Sequence, residues 1–141
     1  MSFEARLHAL SKCEFFGAVS ESDRAALVEV MREEKYVEGE TICRAGEPSD
    51  RVYVVVSGTL DVTVPGRQGS VRHLQAGDLF GEYGMFDEGV RTATVTCLSA
   101  ATLLTLDYPR FRMFLLNFPE ATLSIFGATV KRLQALEQNE G

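Results

Sequence analysis

Tryptophan is absent from this 141-residue chain, and histidine occurs twice, cysteine three times and proline four times. The histidine and cysteine counts each remove a class of function. Two histidines, His8 and His73, do not make the cluster of imidazoles and carboxylates that a transition-metal centre needs, so no metal is expected. Cys13, Cys43 and Cys97 are odd in number, far apart and without a CxxC pair, the pattern of reduced thiols acting as small hydrophobes. No Ser or Cys lies in a motif that supplies a base, and His73 reads as a strand-surface histidine. The chain is not expected to be an enzyme.

Positive charge is also short. Fourteen Lys and Arg against twenty Asp and Glu leave a net charge of −6, whereas a broad nucleic-acid surface needs clustered cations to displace counterions. Direct nucleic-acid binding by this chain is therefore not expected. No apolar run approaches the roughly 20 residues that span a bilayer. The N-terminal "MSFEARLHAL" carries charges where a signal peptide would be apolar. No membrane span and a cytoplasmic location are the expectation.

What is present is a globular composition, 45% hydrophobic and 24% charged, in a length that suits one domain over 1–141. Helices are expected over about 2–32, short strands over about 35–107 and C-terminal helices over about 108–138. Phe3, Leu7 and Leu10 recur at helical spacing, and "SESD" at 20–23 resembles a helix start before Leu27, Val30 and Met31. From Tyr36 to Leu106 the pattern becomes short β-type segments punctuated by glycine. In "LDVTV", Leu60, Val62 and Val64 alternate with Asp61 and Thr63, the period of a strand with one buried face. Closely spaced short strands suggest a barrel or roll.

Asp107 caps a helix in which Phe111, Phe114, Leu115 and Phe118 form an apolar face, and Pro119 breaks or restarts it. In the last helix Leu123, Phe126, Val130 and Leu133, extended by Leu136, form one stripe available to the roll or to a partner. Gly127 weakens this helix by about 1 kcal/mol relative to Ala, so a bend is expected there.

The stretch "FGEYGMFDEGVRTATV", 80–95, is more than a core requires. It reads as the turn after a strand ending at Gly77, a short helical segment from near Gly81, a loop, and a new strand from Arg91. Gly81 allows close backbone approach, and N–H groups at a helix start point toward an anion. Arg91 supplies a planar fork matching two phosphate oxygens. Glu82 beside an anion would repel it unless the carboxylate accepts from another part of the ligand, and a ribose hydroxyl is such a group. An anion and a hydroxyl read together suggest a nucleotide.

These residues resemble the phosphate-binding cassette of the cyclic nucleotide-binding domain family: Phe-Gly-Glu, a short helix, then Arg-Thr-Ala. "GETICRAGEPSDRVYVVVSGTLDV" upstream is similar to that family's glycine-marked roll, with Gly39, Gly46, Gly58 and Gly77 at turns. The resemblance covers roughly 10–138. It implies a mainly β fold: an eight-stranded, jelly-roll-like β-roll with N-terminal helices and two C-terminal helices, the last a lid. It implies a sensor that binds cAMP or cGMP as ligand, has no cofactor, and acts on an effector domain or separate effector protein. By the same resemblance Glu82 accepts from the ribose 2′-hydroxyl and Arg91 pairs with the cyclic phosphate. Gly81, Tyr83 and Gly84 contribute backbone, Phe80 forms the wall, Thr92 and Ala93 offer N–H groups, and Val71 and Leu60 line the base. Gly84 stands where many members have Ala, and Val90 where eukaryotic members often have Pro. Asp87 and Glu88 are expected to be solvated.

Thr92 carries a hydroxyl that reaches a syn guanine and so favours cGMP, while the bacterial look of the cassette favours cAMP, which is the expected ligand. Four alternatives stay open. Glu82 and Arg91 could form a salt bridge that only ties the loop. The chain could be a fold-retaining module that binds no nucleotide, the sensor half of a transcription regulator, or, least supported given two histidines, a cupin-like enzyme.

Overall fold

The computed structural model describes residues 1–17, 19–86 and 89–140. Asp87 and Glu88, expected to be solvated, lie outside them, as does the side chain of Leu136.

Two helices open the chain, α1 (Phe3–Ser11) and α2 (Glu21–Val30). Each begins on a serine whose hydroxyl accepts from a backbone N–H three residues on: Ser2 from Ala5 at 3.1 Å and Ser20 from Asp23 at 3.2 Å. These bonds satisfy donors that a helix start leaves unpaired. Eight strands follow: β1 (Arg32–Tyr36), β2 (Thr41–Cys43), β3 (Arg51–Ser57), β4 (Leu60–Thr63), β5 (Arg72–Leu74), β6 (Leu79–Phe80), β7 (Thr94–Cys97) and β8 (Ala101–Asp107). One turn of helix, α3 (Tyr83–Phe86), separates β6 from β7, and α4 (Tyr108–Asn117) and α5 (Pro119–Glu140) close the chain.

The strands form two antiparallel four-stranded sheets, β1-β8-β3-β6 and β2-β7-β4-β5. In β3, which runs "RVYVVVS", four successive residues from Val52 to Val55 are buried. The strand is covered on both faces, and alternate side chains serve different cores. Val52 and Val54 join Leu104 and Leu106 of β8 under the helices, with Leu10, Phe16, Leu27 and Phe111. Tyr53 and Val55 point the other way, into the roll, with Leu60, Leu74, Val95 and Leu103.

The structure differs from the sequence expectation at several boundaries. β1 begins at Arg32, a few residues before the point at which strands were expected. Its sequence "REEKY" carries no apolar alternation because it is a sheet-edge strand paired only with β8. β7 begins at Thr94 and not at Arg91. The strand before Gly77 ends at Leu74, and Leu79–Phe80 forms a separate two-residue strand on β3.

Asp107 caps α4 as expected, its carboxylate accepting from the Arg110 N–H at 2.8 Å. α5 runs through Gly127 without interruption. Its expected stripe does not cover the roll, since Leu123 and Phe126 are 70% and 66% exposed. Ala121, Ile125 and Ala128 pack on the core instead. Among the described residues no single helix is long and apolar enough to cross a membrane.

Candidate functional site

Arg91 anchors the site. Its backbone is held on both sides by the 46–49 segment: the Arg91 N–H donates to the Glu47 carbonyl and the Gly46 N–H to the Arg91 carbonyl, each at 2.8 Å. Pro48 and Val90 bridge these two segments. Pinned in this way, the side chain turns inward and is only 7% exposed. One guanidinium nitrogen donates to the Arg51 carbonyl at 3.2 Å, and the other makes a long 3.5 Å contact with the Gly81 carbonyl. The cation also lies 5.3 Å from the centroid of the Tyr53 ring.

A buried cation needs a counter-charge or a polarisable neighbour. The carboxylate paired with Arg91 is Asp50, at 3.9 Å, while the cation acting on Glu82 is Arg72.

Gly81 explains how the guanidinium fits. Its φ is +89°, and a Cβ there would stand 2.6 Å from the Arg91 guanidinium and 2.9 Å from the Arg51 carbonyl. The missing side chain at 81 makes room for Arg91. α3 is a single turn, too short for much dipole, so the attraction for an anion rests on Arg91.

Phe80, Gly81, Glu82, Gly84, Arg91, Thr92 and Ala93, all anticipated from the sequence, line one cavity of about 110 Å³. Tyr83 begins α3 beside them. Leu60 and Val71 are not among the residues lining it. Leu60 is fully buried in the roll, paired across strands with Leu74 and Cys97, and Val71 is 38% exposed just outside β5. The apolar lining comes instead from Val62, Leu74, Leu79, Val95 and Cys43.

Arg72, Ser49 and Tyr108 escaped sequence reasoning. Arg72 enters the cavity wall from β5 and lies 3.9 Å from Asp78. Ser49 and Tyr108 share a hydrogen bond across 59 residues of sequence, and the Tyr108 hydroxyl donates to the Gly81 carbonyl. No local pattern announces such a contact.

Burial pushes the Glu82 carboxyl above its ordinary value, opposed by a backbone hydrogen bond and by the Arg72 charge. Burial likewise raises the Cys43 thiol, which the charge of Arg91 partly offsets. A larger groove of about 600 Å³ opens on the α2–α4 face, lined by Ala26, Val30, Met113 and Phe114. Its charged pair, Asp107 and Arg110, is mutually satisfied, so it presents apolar surface and no unmatched charge. The smaller cavity is where opposite charges and glycine-shaped backbone converge.

Comparison with known proteins gives the family. The sequence model of the cyclic nucleotide-binding domain family matches residues 33–118. The CRP-like cAMP-activated global transcriptional regulator of Mycobacterium tuberculosis is 27% identical over 133 residues, 92% of this chain and 59% of that regulator. The chain thus spans about three fifths of that relative. The N-terminal domain of a transcriptional regulator from Streptomyces coelicolor superposes with a TM-score of 0.74 at 30% identity, covering 93% of each chain. The regulatory domain of Toxoplasma gondii PKA, solved with cAMP, gives a TM-score of 0.73 at 28% identity over 85% of this chain and 46% of that one. On the family match, the shared β-roll and the cassette geometry together, the chain belongs to the cyclic nucleotide-binding domain family.

Proposed function

We propose that this chain is a cytoplasmic sensor domain that binds cAMP in preference to cGMP and passes the binding event through α4 and α5 to an effector domain or separate effector protein. The observation that carries the reading is Arg91: a nearly buried guanidinium, held by backbone carbonyls and a ring face, in the wall of the cavity that also holds Glu82. Its contacts are ones an anion can replace. The Arg51 and Gly81 carbonyls are neutral acceptors, and a phosphate offers a charge-matched fork worth more per hydrogen bond.

In this reading Arg91 takes the cyclic phosphate, Glu82 accepts from the ribose 2′-hydroxyl, and Gly81, Tyr83, Gly84, Thr92 and Ala93 offer backbone around the sugar-phosphate. Phe80 closes the wall behind them. Leu60 and Val71 were expected at the base. Val62 of β4 and Leu74 of β5 are closer to that role, since both line the cavity. A cavity of about 110 Å³ is below the roughly 300 Å³ at which small-molecule sites begin. Binding must therefore widen or complete it. α5 contributes no lining residue among those described, and closure of α5 over the base supplies the missing wall. The ligand drives that closure only through a higher affinity for the closed state. Relatives named as cAMP-activated or solved with cAMP support the choice of base, and the Thr92 hydroxyl is the feature that speaks for cGMP.

Parallel calorimetric titration with cAMP and cGMP tests the proposal, repeated with Arg91→Ala. Loss of one shielded charged hydrogen bond predicts a roughly 10- to 100-fold weaker Kd. Undiminished affinity in that variant overturns the reading. A second reading, the sensor part of a transcription regulator, is favoured by the 93% mutual coverage with a regulator's N-terminal domain. The complete open reading frame decides it by the presence or absence of a DNA-binding module.

A further inference from the structure

Beside the cavity, three polar groups form a chain whose purpose the ligand contacts do not explain. The Tyr108 hydroxyl donates to the Gly81 carbonyl, and the Ser49 and Tyr108 hydroxyls are hydrogen-bonded to each other. A phenol has one proton. Because the Gly81 carbonyl can only accept, that proton goes to Gly81, and Ser49 must donate to the Tyr108 oxygen. The direction of the chain is thereby set as Ser49 to Tyr108 to Gly81.

The same pair touches α3 directly. A Cβ on Gly84 would collide with Ser49 Oγ and stand 2.6 Å from the Tyr108 hydroxyl, so the α3 backbone rests on both side chains. Tyr108 is also the first residue of α4, and its N–H donates to the Asp50 carbonyl at 2.9 Å. Asp50 in turn carries the carboxylate 3.9 Å from Arg91. One buried residue thus touches the cassette backbone, the 49–50 loop and the start of the helix that leads to α5.

We propose that Tyr108 is a positioning residue: its hydroxyl holds the Gly81–Gly84 backbone in register for the phosphate and passes any shift of that backbone to α4. The inference rests on the cyclic nucleotide reading above. The Gly81 carbonyl has two donors, Tyr108 and the long contact from Arg91. When a phosphate takes the Arg91 fork, Tyr108 remains, and α3 and α4 then move as one body joined through it. Packing of Gly84 on the same hydroxyl transmits compression as well as tension, because a close-packed contact cannot be squeezed without moving its partner.

The test uses the full chain with Tyr108→Phe and Ser49→Ala, each titrated with cAMP and followed by hydrogen exchange of the α4 amides with and without ligand. Wild type is measured first. If it binds neither cAMP nor cGMP, the reading of the site fails before this inference is reached. With wild type binding, Tyr108→Phe is expected to weaken cAMP by roughly 3- to 10-fold, the net value of one hydrogen bond. It is also expected to abolish the ligand-dependent change in α4 exchange. Ser49→Ala should act in the same direction but less strongly. A Tyr108→Phe protein that binds like wild type, or binds more weakly while α4 still responds in full, overturns the proposal. Should Tyr108→Phe not fold, Ser49→Ala decides: an unchanged α4 response in that variant also overturns it.

Discussion

The Tyr53 ring contacts both Arg91 and Phe80: the guanidinium carbon is 5.3 Å from its centroid, and the Phe80 ring is stacked against it at 4.7 Å. Tyr53 and Phe80 face each other across β3 and β6, so sheet register places an aromatic platform under the cation. A cation over a ring is worth roughly 0.5 to 2 kcal/mol, and the ring's polar handle is not needed for it. Tyr53→Phe should therefore bind cyclic nucleotide like wild type, whereas Tyr53→Leu should weaken it by roughly 2- to 30-fold, as measured by calorimetry. Equal affinities for Leu and Tyr at this position would show that the ring only fills space.

Glu82 yields a pH signature. Its carboxyl sits above the ordinary value of 4.5, chiefly through burial, and the Arg72 charge opposes the shift without cancelling it. A carboxyl raised on folding adds stability while protonated, below its unfolded pKa, and that contribution is lost as pH rises through the folded pKa. Above that range Glu82 therefore costs stability relative to a group that stays neutral. Glu82→Gln should raise the melting temperature at pH 7 and lose that advantage near pH 4. The same variant should narrow the gap in affinity between cAMP and its 2′-deoxy analogue. Wild-type affinity for cAMP should begin to fall on acidification at a higher pH than an ordinary glutamate would give. A variant that melts lower at pH 7 and still discriminates the deoxy analogue fully would refute both roles.

What could be read from the sequence followed local pattern. The caps at Ser20 and Asp107 depend on neighbours a few residues away, and each appears in the structure; of the alternation read in 60–64, Leu60 is buried and Val62 packs on the same cluster, but Val64 lies beyond the strand. The glycines expected at turns, Gly39, Gly46, Gly58 and Gly77, all have positive φ. β1 was not legible because an edge strand of "REEKY" needs little apolar surface. Glu82 and Arg91 stood out because charged residues bracketed by glycines have no reason to sit in a core. Asp50 and Tyr108 did not stand out: one is an ordinary turn residue, the other an ordinary helix start, and their importance comes from tertiary contacts to Arg91 and Gly81. The stripe on α5 showed its spacing but not its exposure, since periodicity identifies a face without naming what covers it.

Gly84 gives a prediction opposite to helix propensity. Ala in place of a helical Gly ordinarily gains about 1 kcal/mol, and many relatives by resemblance carry Ala here. In this chain a Cβ at 84 would meet the side chains of Ser49 and Tyr108 well inside contact distance. Gly84→Ala should lower the melting temperature, and the double variant Gly84→Ala with Ser49→Gly should recover only part of the loss, because the Tyr108 hydroxyl still stands 2.6 Å from the added Cβ. Thermal melts of the two proteins check this. A single variant more stable than wild type would mean that α3 shifts freely and that the close approach carries no constraint.

The α5 stripe separates a lid from a passive helix. In this structure Leu123, Phe126 and Leu133 are 70%, 66% and 53% exposed, while Ile125 on the opposite side packs on the core. Exposed positions contribute little to folding, so Phe126→Ala and Leu133→Ala should each change the stability of the free protein by less than about 0.5 kcal/mol. Ile125→Ala should cost roughly 1 to 3 kcal/mol through its lost packing. If α5 closes on the ligand, the first two variants lose apolar burial that exists only in the bound state, worth roughly 1.5 to 3 kcal/mol for a fully buried side chain. Their affinity for cAMP should then fall about tenfold or more, mainly through faster dissociation. Stopped-flow release of a fluorescent cAMP analogue measures that rate directly. Dissociation as slow as in wild type would exclude closure by this face and leave the stripe as a surface for the effector.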